Sequence, residues 1–249
     1  MSDSSVIVWD LETAPDIAAA GRILGLNAEP AQTIRDALGN GFPKLPLHSI
    51  VCIGALVAER TGEGWTVKAL GAPHIGERTE AELIEAFVKK IEELQPRLVT
   101  FNGSGFDLPV LRYRAMHHSI SAPGLRSRNY FNRYSDDAVD LCDVLASYGS
   151  STKVKLDDLA KSFDLPGKPE GMDGSQVEAY VRDGRIQEVS EYCESDVINT
   201  YRIWLRYEVF RGTLAPLELE HSERDLSEFV QRRQAKANPN PKDPSHGEG

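Results

Sequence analysis

Two carboxylates one residue apart, Asp10 and Glu12, close an apolar run that begins at Val6. Alternate side chains of an extended segment share a face, so both acids project the same way. Anions held that close repel each other unless a cation lies between them. The pair is therefore either part of a divalent-metal site or the solvated end of a strand, and these two residues alone do not choose. Acids recur at two later places. Asp107 follows a short apolar run and a glycine-rich turn that opens at Asn102, while Tyr192 and Asp196 stand one helical turn apart. Taken singly, Asp107 suits a helix N-cap and Asp196 an exposed surface. Gathered in one place, four carboxylates are costly unless divalent cations neutralise them. An all-oxygen set of this kind suits Mg²⁺ or Mn²⁺ rather than zinc.

These residues need elements to hold them. The first acids end a buried strand over residues 6–13. Residues 14–47 are irregular, punctuated by Pro15, Pro30, Pro43 and Pro46, with short helical pieces at 17–24 and 31–38. A long buried strand follows at 47–58, then a turn at Thr61-Gly62-Glu63-Gly64 and a strand at 65–70. The spacing predicts a helix over 79–94, opened by the capping-box pair Thr79 and Glu82 and stopped by Pro96. A strand at 98–101, entered from that helix, is expected to run parallel to a neighbour. Asp107 then starts a helix to about residue 118. A loop spans 119–137, a short extended segment at 138–145 leads into helical turns, and helical patterns cover 156–163 and 176–182. The last strong helix runs over 186–210, with Val189, Cys193, Val197 and Trp204 on its apolar face, and a further helix spans about 217–233. The glycines at 103 and 105 do not complete a dinucleotide fingerprint, because the third is missing.

Composition narrows the partners. The chain is 41% hydrophobic over 249 residues with a net charge of −10, enough for a sizeable core and unlike a general nucleic-acid coat protein. The longest apolar run is far too short to span a bilayer. Cys52, Cys142 and Cys193 stand singly and read as small core residues in a reducing compartment, the cytoplasm. Between Asp107 and Asp136 no acid occurs, yet Arg112, Arg114, Arg126, Arg128 and Arg133 do, interleaved with Tyr113, Tyr130, Phe131 and Tyr134. Such a tract is either a single-strand groove, with phosphates paired and bases stacked, or a solvated loop.

The motifs resemble a known family. Asp10-Leu11-Glu12-Thr13, Asn102 with Asp107, and Tyr192 with Asp196 are similar, in order and spacing, to the three motifs of the DEDD 3′–5′ exonucleases in their tyrosine-bearing DEDDy form. The nearest branch is the stand-alone exonucleases related to the proofreading domain of family B DNA polymerases. His48-Ser49-Ile50-Val51-Cys52-Ile53-Gly54 and Met172-Asp173-Gly174-Ser175 are also similar to that branch. The resemblance covers roughly residues 5–210. It implies an α/β, ribonuclease H-like fold with a mixed central sheet flanked by helices. The exonuclease domain is expected over residues 1–212, a helical extension over 213–235 and a disordered tail over 236–249.

It further implies hydrolysis with two ions roughly 3.5–4 Å apart. Asp10 would bridge both ions, Glu12 and Asp196 would complete the side of the attacking water, and Asp107 would support the ion near the leaving 3′ oxygen. Tyr192 would orient the water. Thr13 and Asn102 would line the terminal nucleotide, and Leu11 and Phe106 would pack on its base or in the core. On electrostatic grounds Arg112, Arg126, Arg128 and Arg133 are the residues expected to draw in a single strand. The catalytic acids do not distinguish DNA from RNA, although DNA is favoured. A non-catalytic binding module is the remaining alternative. Asp140 reads either as structural or as a residue supporting the site from behind its ligands, and the stretch 14–47, longer than in many proofreading domains, either covers the site or mediates contacts.

Overall fold

Val6, Ile7, Val8 and Trp9 have no solvent exposure, so they can only be the middle of a sheet covered on both faces. A computed structural model describes the chain over residues 4–39, 41–167 and 174–237. Met172 and Asp173 of the quoted motif, and the expected tail beyond residue 237, lie outside the described residues. The first strand, β1 (Ser5–Pro15), runs into two short helices, α1 (Ile17–Leu24) and α2 (Ala31–Leu38). Strands β2 (His48–Thr61) and β3 (Gly64–Gly71) form a hairpin, and helix α3 (Glu80–Leu94) crosses to β4 (Arg97–Thr100). Helix α4 (Asp107–His117), strand β5 (Ala138–Asp140) and helices α5 (Leu141–Leu145), α6 (Leu156–Ser162) and α7 (Val177–Arg182) precede the long α8 (Ile186–Phe210) and α9 (Pro216–Ala237).

The sheet order is β3-β2-β1-β4-β5. β1 pairs antiparallel with β2 and parallel with β4; β2 and β3 are antiparallel, and β4 and β5 parallel. This is the mixed-sheet α/β arrangement expected from the sequence. The crossover from β1 and β2 to β4 runs through α3, whose capping box forms as predicted: Glu82 N donates to Thr79 Oγ1 at 3.3 Å, and Thr79 N donates to Glu82 Oε2 at 2.8 Å. Gln95 in the left-handed conformation ends that helix.

Strand parity decides where the first two acids point. Ile7, Trp9 and Leu11 pack with Leu83, Phe87 and Ile91 of α3 and Leu111 of α4. Val6 and Val8 pack on the other face with Val197, Tyr201 and Trp204 of α8. Asp10 and Glu12 share the parity of Val6 and Val8, so they continue the α8 face. A register shift after Glu12 then turns the end of the strand.

Two devices finish the fold. The edge of β3 is closed by α9: Trp65 N donates to Ser222 Oγ at 2.9 Å and Val67 N to Asp225 Oδ2 at 2.7 Å, so the exposed ladder groups that invite aggregation are satisfied within the chain. Opposite Asp10 in the β1–β2 ladder stands Gly54. A Cβ there would lie 2.6 Å from Cys193 Sγ and 3.0 Å from Val197 Cγ2. Only glycine lets α8 seat this close to the sheet.

Candidate active site

Asp10, Glu12, Asp107, Tyr192 and Asp196, the five residues singled out by the motifs, line one cavity of about 480 Å³. Its floor is the end of β1, one wall is the start of α4 and the other is the middle of α8. Leu11, Thr13, Asn102 and Phe106 line the same cavity. Glu12, Asp107, Tyr192 and Asp196 are all buried, so each carboxylate stands where an uncompensated charge is expensive. Among the described residues, one cluster has ligand atoms within 4.8 Å of one another: Asp10, Glu12 and Cys193. Asp107 and Asp196 share the cavity but do not belong to that cluster.

Asp107 is not the N-cap that its position suggests. The cap falls on Phe106, which makes no side-chain cap bond. The Asp107 carboxylate instead reaches across to β1, where its Oδ1 accepts a hydrogen bond from Leu11 N at 2.9 Å. This bond fastens the first turn of α4 to the strand between Asp10 and Glu12. Burial pushes the Asp107 carboxyl up to about 7; the Leu11 bond opposes this and the charge of Asp140 adds to it.

The loop before α4 is held by Asp140. Its Oδ1 accepts from Asn102 N at 2.7 Å, and its Oδ2 accepts from Ser104 N at 2.9 Å and Ser104 Oγ at 2.6 Å. Asn102 adopts a positive φ of 71°, which asparagine tolerates better than most residues. Gly103 follows because a Cβ there would meet Thr100 at 2.6 Å. These constraints present Asn102 and Phe106 to the cavity.

On α8, Tyr192 and Asp196 face the sheet one turn apart, with Cys193 between them. Cys193 Sγ lies 3.8 Å from Asp10 Oδ2. A hydrogen bond with Cys52, then burial and the nearby Asp10 and Glu12 charges, push the Cys193 thiol well above its ordinary range, so it stays protonated at neutral pH. As a thiol it is a neutral neighbour of the carboxylates.

The basic tract divides. Arg114 is no groove residue: it is buried, donating to Glu80 Oε1 and Oε2 at 2.7 and 2.5 Å and to Asp16 Oδ2 at 2.7 Å. Burial pushes Glu80 up, but its bonds from Arg114, His118 and Ile50 N outweigh that and hold it below the usual carboxylate range. Arg128 pairs with Asp137 at 2.5 Å and Gln95 O at 2.9 Å. Arg126 is exposed at the end of a 3-10 turn. Arg112 lies over the Phe131 ring at 4.9 Å, and Arg133 pairs with Asp143 at 2.6 Å. Arg112 and Arg133 line a second cavity of about 350 Å³, which meets the acidic one at Gly105.

Sequence reasoning passed over several residues at the site. Phe42 and Leu45 line the cavity from the irregular segment, and no local pattern marks them. Cys193 reads as core and is core, yet it also borders the acids. Gly54 inside a strand of apolar residues is the one available signal, since a strand glycine marks a close approach.

A family described as "Predicted 3'-5' exonuclease related to the exonuclease domain of PolB" matches residues 40–241. That span contains Asp107, Tyr192 and Asp196 and leaves Asp10 and Glu12 outside it. Among solved structures, the fold is similar to the family B DNA polymerase from the hyperthermophilic archaeon Pyrobaculum calidifontis, with a TM-score of 0.54 at 16% identity. The similarity covers 98% of this chain and 31% of the polymerase. No curated protein sequence matches the chain.

Proposed function

Because the chain belongs to the family of predicted 3′–5′ exonucleases related to the exonuclease domain of PolB, we propose that it hydrolyses the terminal phosphodiester of single-stranded DNA or 3′ overhangs. In this reading it is metal-dependent and releases nucleoside 5′-monophosphates. The observation that carries the reading is the single cavity shared by Asp10, Glu12, Asp107, Tyr192 and Asp196.

The residues fit the metal ions that the reaction needs. The donors are carboxylate oxygens, hard ligands suited to Mg²⁺ or Mn²⁺, and the one thiol among them is held protonated. Two divalent ions, when bound, supply an activated water and charge neutralisation at the leaving oxygen. Asp10 would be the ligand shared by the two ions. Glu12 and Asp196 would hold metal on the side from which water attacks, and Asp107 would hold it on the side of the leaving 3′ oxygen. Tyr192 positions the attacking water by a hydrogen bond from its place one turn before Asp196. Thr13 and Asn102 border the terminal nucleotide, and Arg112, Arg126, Arg128 and Arg133 attract the strand. Charge on these arginines is partly committed to Asp137 and Asp143, which leaves their attraction long-range and salt-sensitive.

Degradation of matched DNA and RNA strands, labelled at the 3′ or the 5′ end and sized over time, tests the reading. Stepwise shortening of the 5′-labelled DNA, with the 3′ label released as a mononucleotide, is the expected result. Internal cuts or loss from the 5′ end contradict it, and faster RNA degradation reassigns the enzyme as an exoribonuclease.

A further inference from the structure

Two acids held side by side need neighbours that orient them without cancelling the charge the ions require. In the β1–β2 ladder Glu12 stands opposite Cys52, and Asp10 opposite Gly54. Cross-strand neighbours normally fix a side chain on a sheet, and Gly54 has no side chain to offer. Helix α8 fills that place. Cys193 Sγ occupies the space that a Cβ on Gly54 would enter, 2.6 Å from that position. It lies 3.7 Å from Asp10 O and 3.8 Å from Asp10 Oδ2. Two thiols thus back the two carboxylates, one from the strand and one from the helix.

The thiol protons have a definite order. Cys52, within hydrogen-bond reach of Cys193, donates its own proton to Ala72 O at 3.4 Å. Toward Cys193 it can therefore only accept. The Cys193 proton then has a neutral sulfur and an anionic carboxylate in reach, and a charged acceptor binds about twice as strongly. It goes to Asp10. Both cysteines are fully buried in an apolar cluster with Val51, Ala72, Val177 and Val189, which holds the sulfur in place. A lysine or arginine in this position would neutralise Asp10 and compete with the ions, and another carboxylate would add repulsion. A neutral thiol orients the carboxylate and leaves its charge for metal.

We propose that Cys193 is a positioning residue, whose thiol holds the Asp10 carboxylate in the orientation that receives divalent ions and so sets the metal affinity of the site. The inference rests on Asp10 being a metal ligand, as the proposed function has it.

The test compares Mn²⁺ binding to the full chain by isothermal titration calorimetry for wild type, Cys193→Ala and Cys193→Ser. Groups that orient metal ligands contribute about 10- to 100-fold in affinity. The S–H group is a weak donor, so alanine should weaken Mn²⁺ binding about 10-fold. Serine, which restores a donor to Asp10, should recover most of that loss. The deficit should also appear as a higher Mn²⁺ requirement for mononucleotide release, made good by raising Mn²⁺. Thermal unfolding in chelator reports packing separately. A cysteine that merely fills space lowers the melting temperature of both variants and leaves Mn²⁺ affinity unchanged, which overturns the proposal. A serine variant as weak as alanine overturns it too. The infrared S–H stretch of Cys193, identified by its loss in Cys193→Ser, tests the contact with the cysteine in place. Asp10→Ala should move that band to higher frequency, and an unmoved band overturns the proposal even where Cys193→Ala does not fold. Wild type that binds Mn²⁺ and releases mononucleotide, with Cys193→Ala no different, overturns the positioning role alone. Wild type that binds no Mn²⁺ overturns both readings.

Discussion

Asp107→Asn should stabilise the metal-free protein, and the gain should grow with pH. The carboxyl is fully inside the protein, and burial raises its pKa from 3.8 to about 7. Between those values the unfolded chain has lost the proton and the folded protein keeps it. Stability therefore falls as pH rises from about 4 to about 7 and stays lost above that. Raising the carboxyl from 3.8 to about 7 costs the folded protein on the order of 4 kcal/mol once the group is ionised in both states. Asparagine removes the charge yet keeps an oxygen to accept from Leu11 N. The expected gain over wild type in chelator is about 4 kcal/mol at pH 8 and under half of that at pH 5. For a chain of this size that corresponds to roughly 8–16 °C in melting temperature at pH 8. Mg²⁺ binds the carboxylate and not the amide, so adding it at pH 8 should narrow the gap. Thermal unfolding of both proteins at the two pH values, with and without Mg²⁺, measures all of this. An asparagine variant that is less stable, or a gap independent of pH, refutes the argument that an ionised Asp107 strains the fold.

Other consequences are simpler to state. Arg114→Ala strands the half-buried carboxylates of Glu80 and Asp16 and should cost about 3–5 kcal/mol in denaturant unfolding. Gly54→Ala places a methyl group against Cys193 and Val197, should cost about 1–3 kcal/mol, and should lower turnover by shifting Tyr192 and Asp196 away from β1. Arg126→Ala should reduce the slope of log affinity against log salt for a single strand by about 0.7, the loss of one phosphate contact; an unchanged slope would place the strand elsewhere.

What the sequence disclosed, and what it hid, follows the range of the interactions. The capping box at Thr79 and Glu82, the two helices of the irregular segment and the long α8 rest on neighbours in sequence, and their positions were legible from spacing. The acids of β1 were legible for the same reason, because strand parity is local. Asp107 was harder. Its position before a helix suggested a cap, but its partner is Leu11 N, 96 residues away, and no local rule sees that bond. Arg114 stands among the arginines of a basic tract but answers to Glu80 and Asp16 across the fold. Phe42 belongs to a stretch without periodicity, and only the closing of that stretch over β1 brings its ring to His48 and Phe106.

The most direct measurement of the central claim is release of mononucleotide from a 3′-labelled single strand by wild type and Asp10→Ala, side by side in Mg²⁺ or Mn²⁺. Loss of a residue that merely supports a metal ligand costs about 10- to 100-fold, so loss of a ligand should cost at least about 100-fold. Wild type should release nucleoside 5′-monophosphate and stop when the metal is chelated, while Asp10→Ala stays folded and turns over at least about 100-fold more slowly. Equal release by both proteins, or release that persists in chelator, would contradict a metal-dependent site at Asp10 and Glu12.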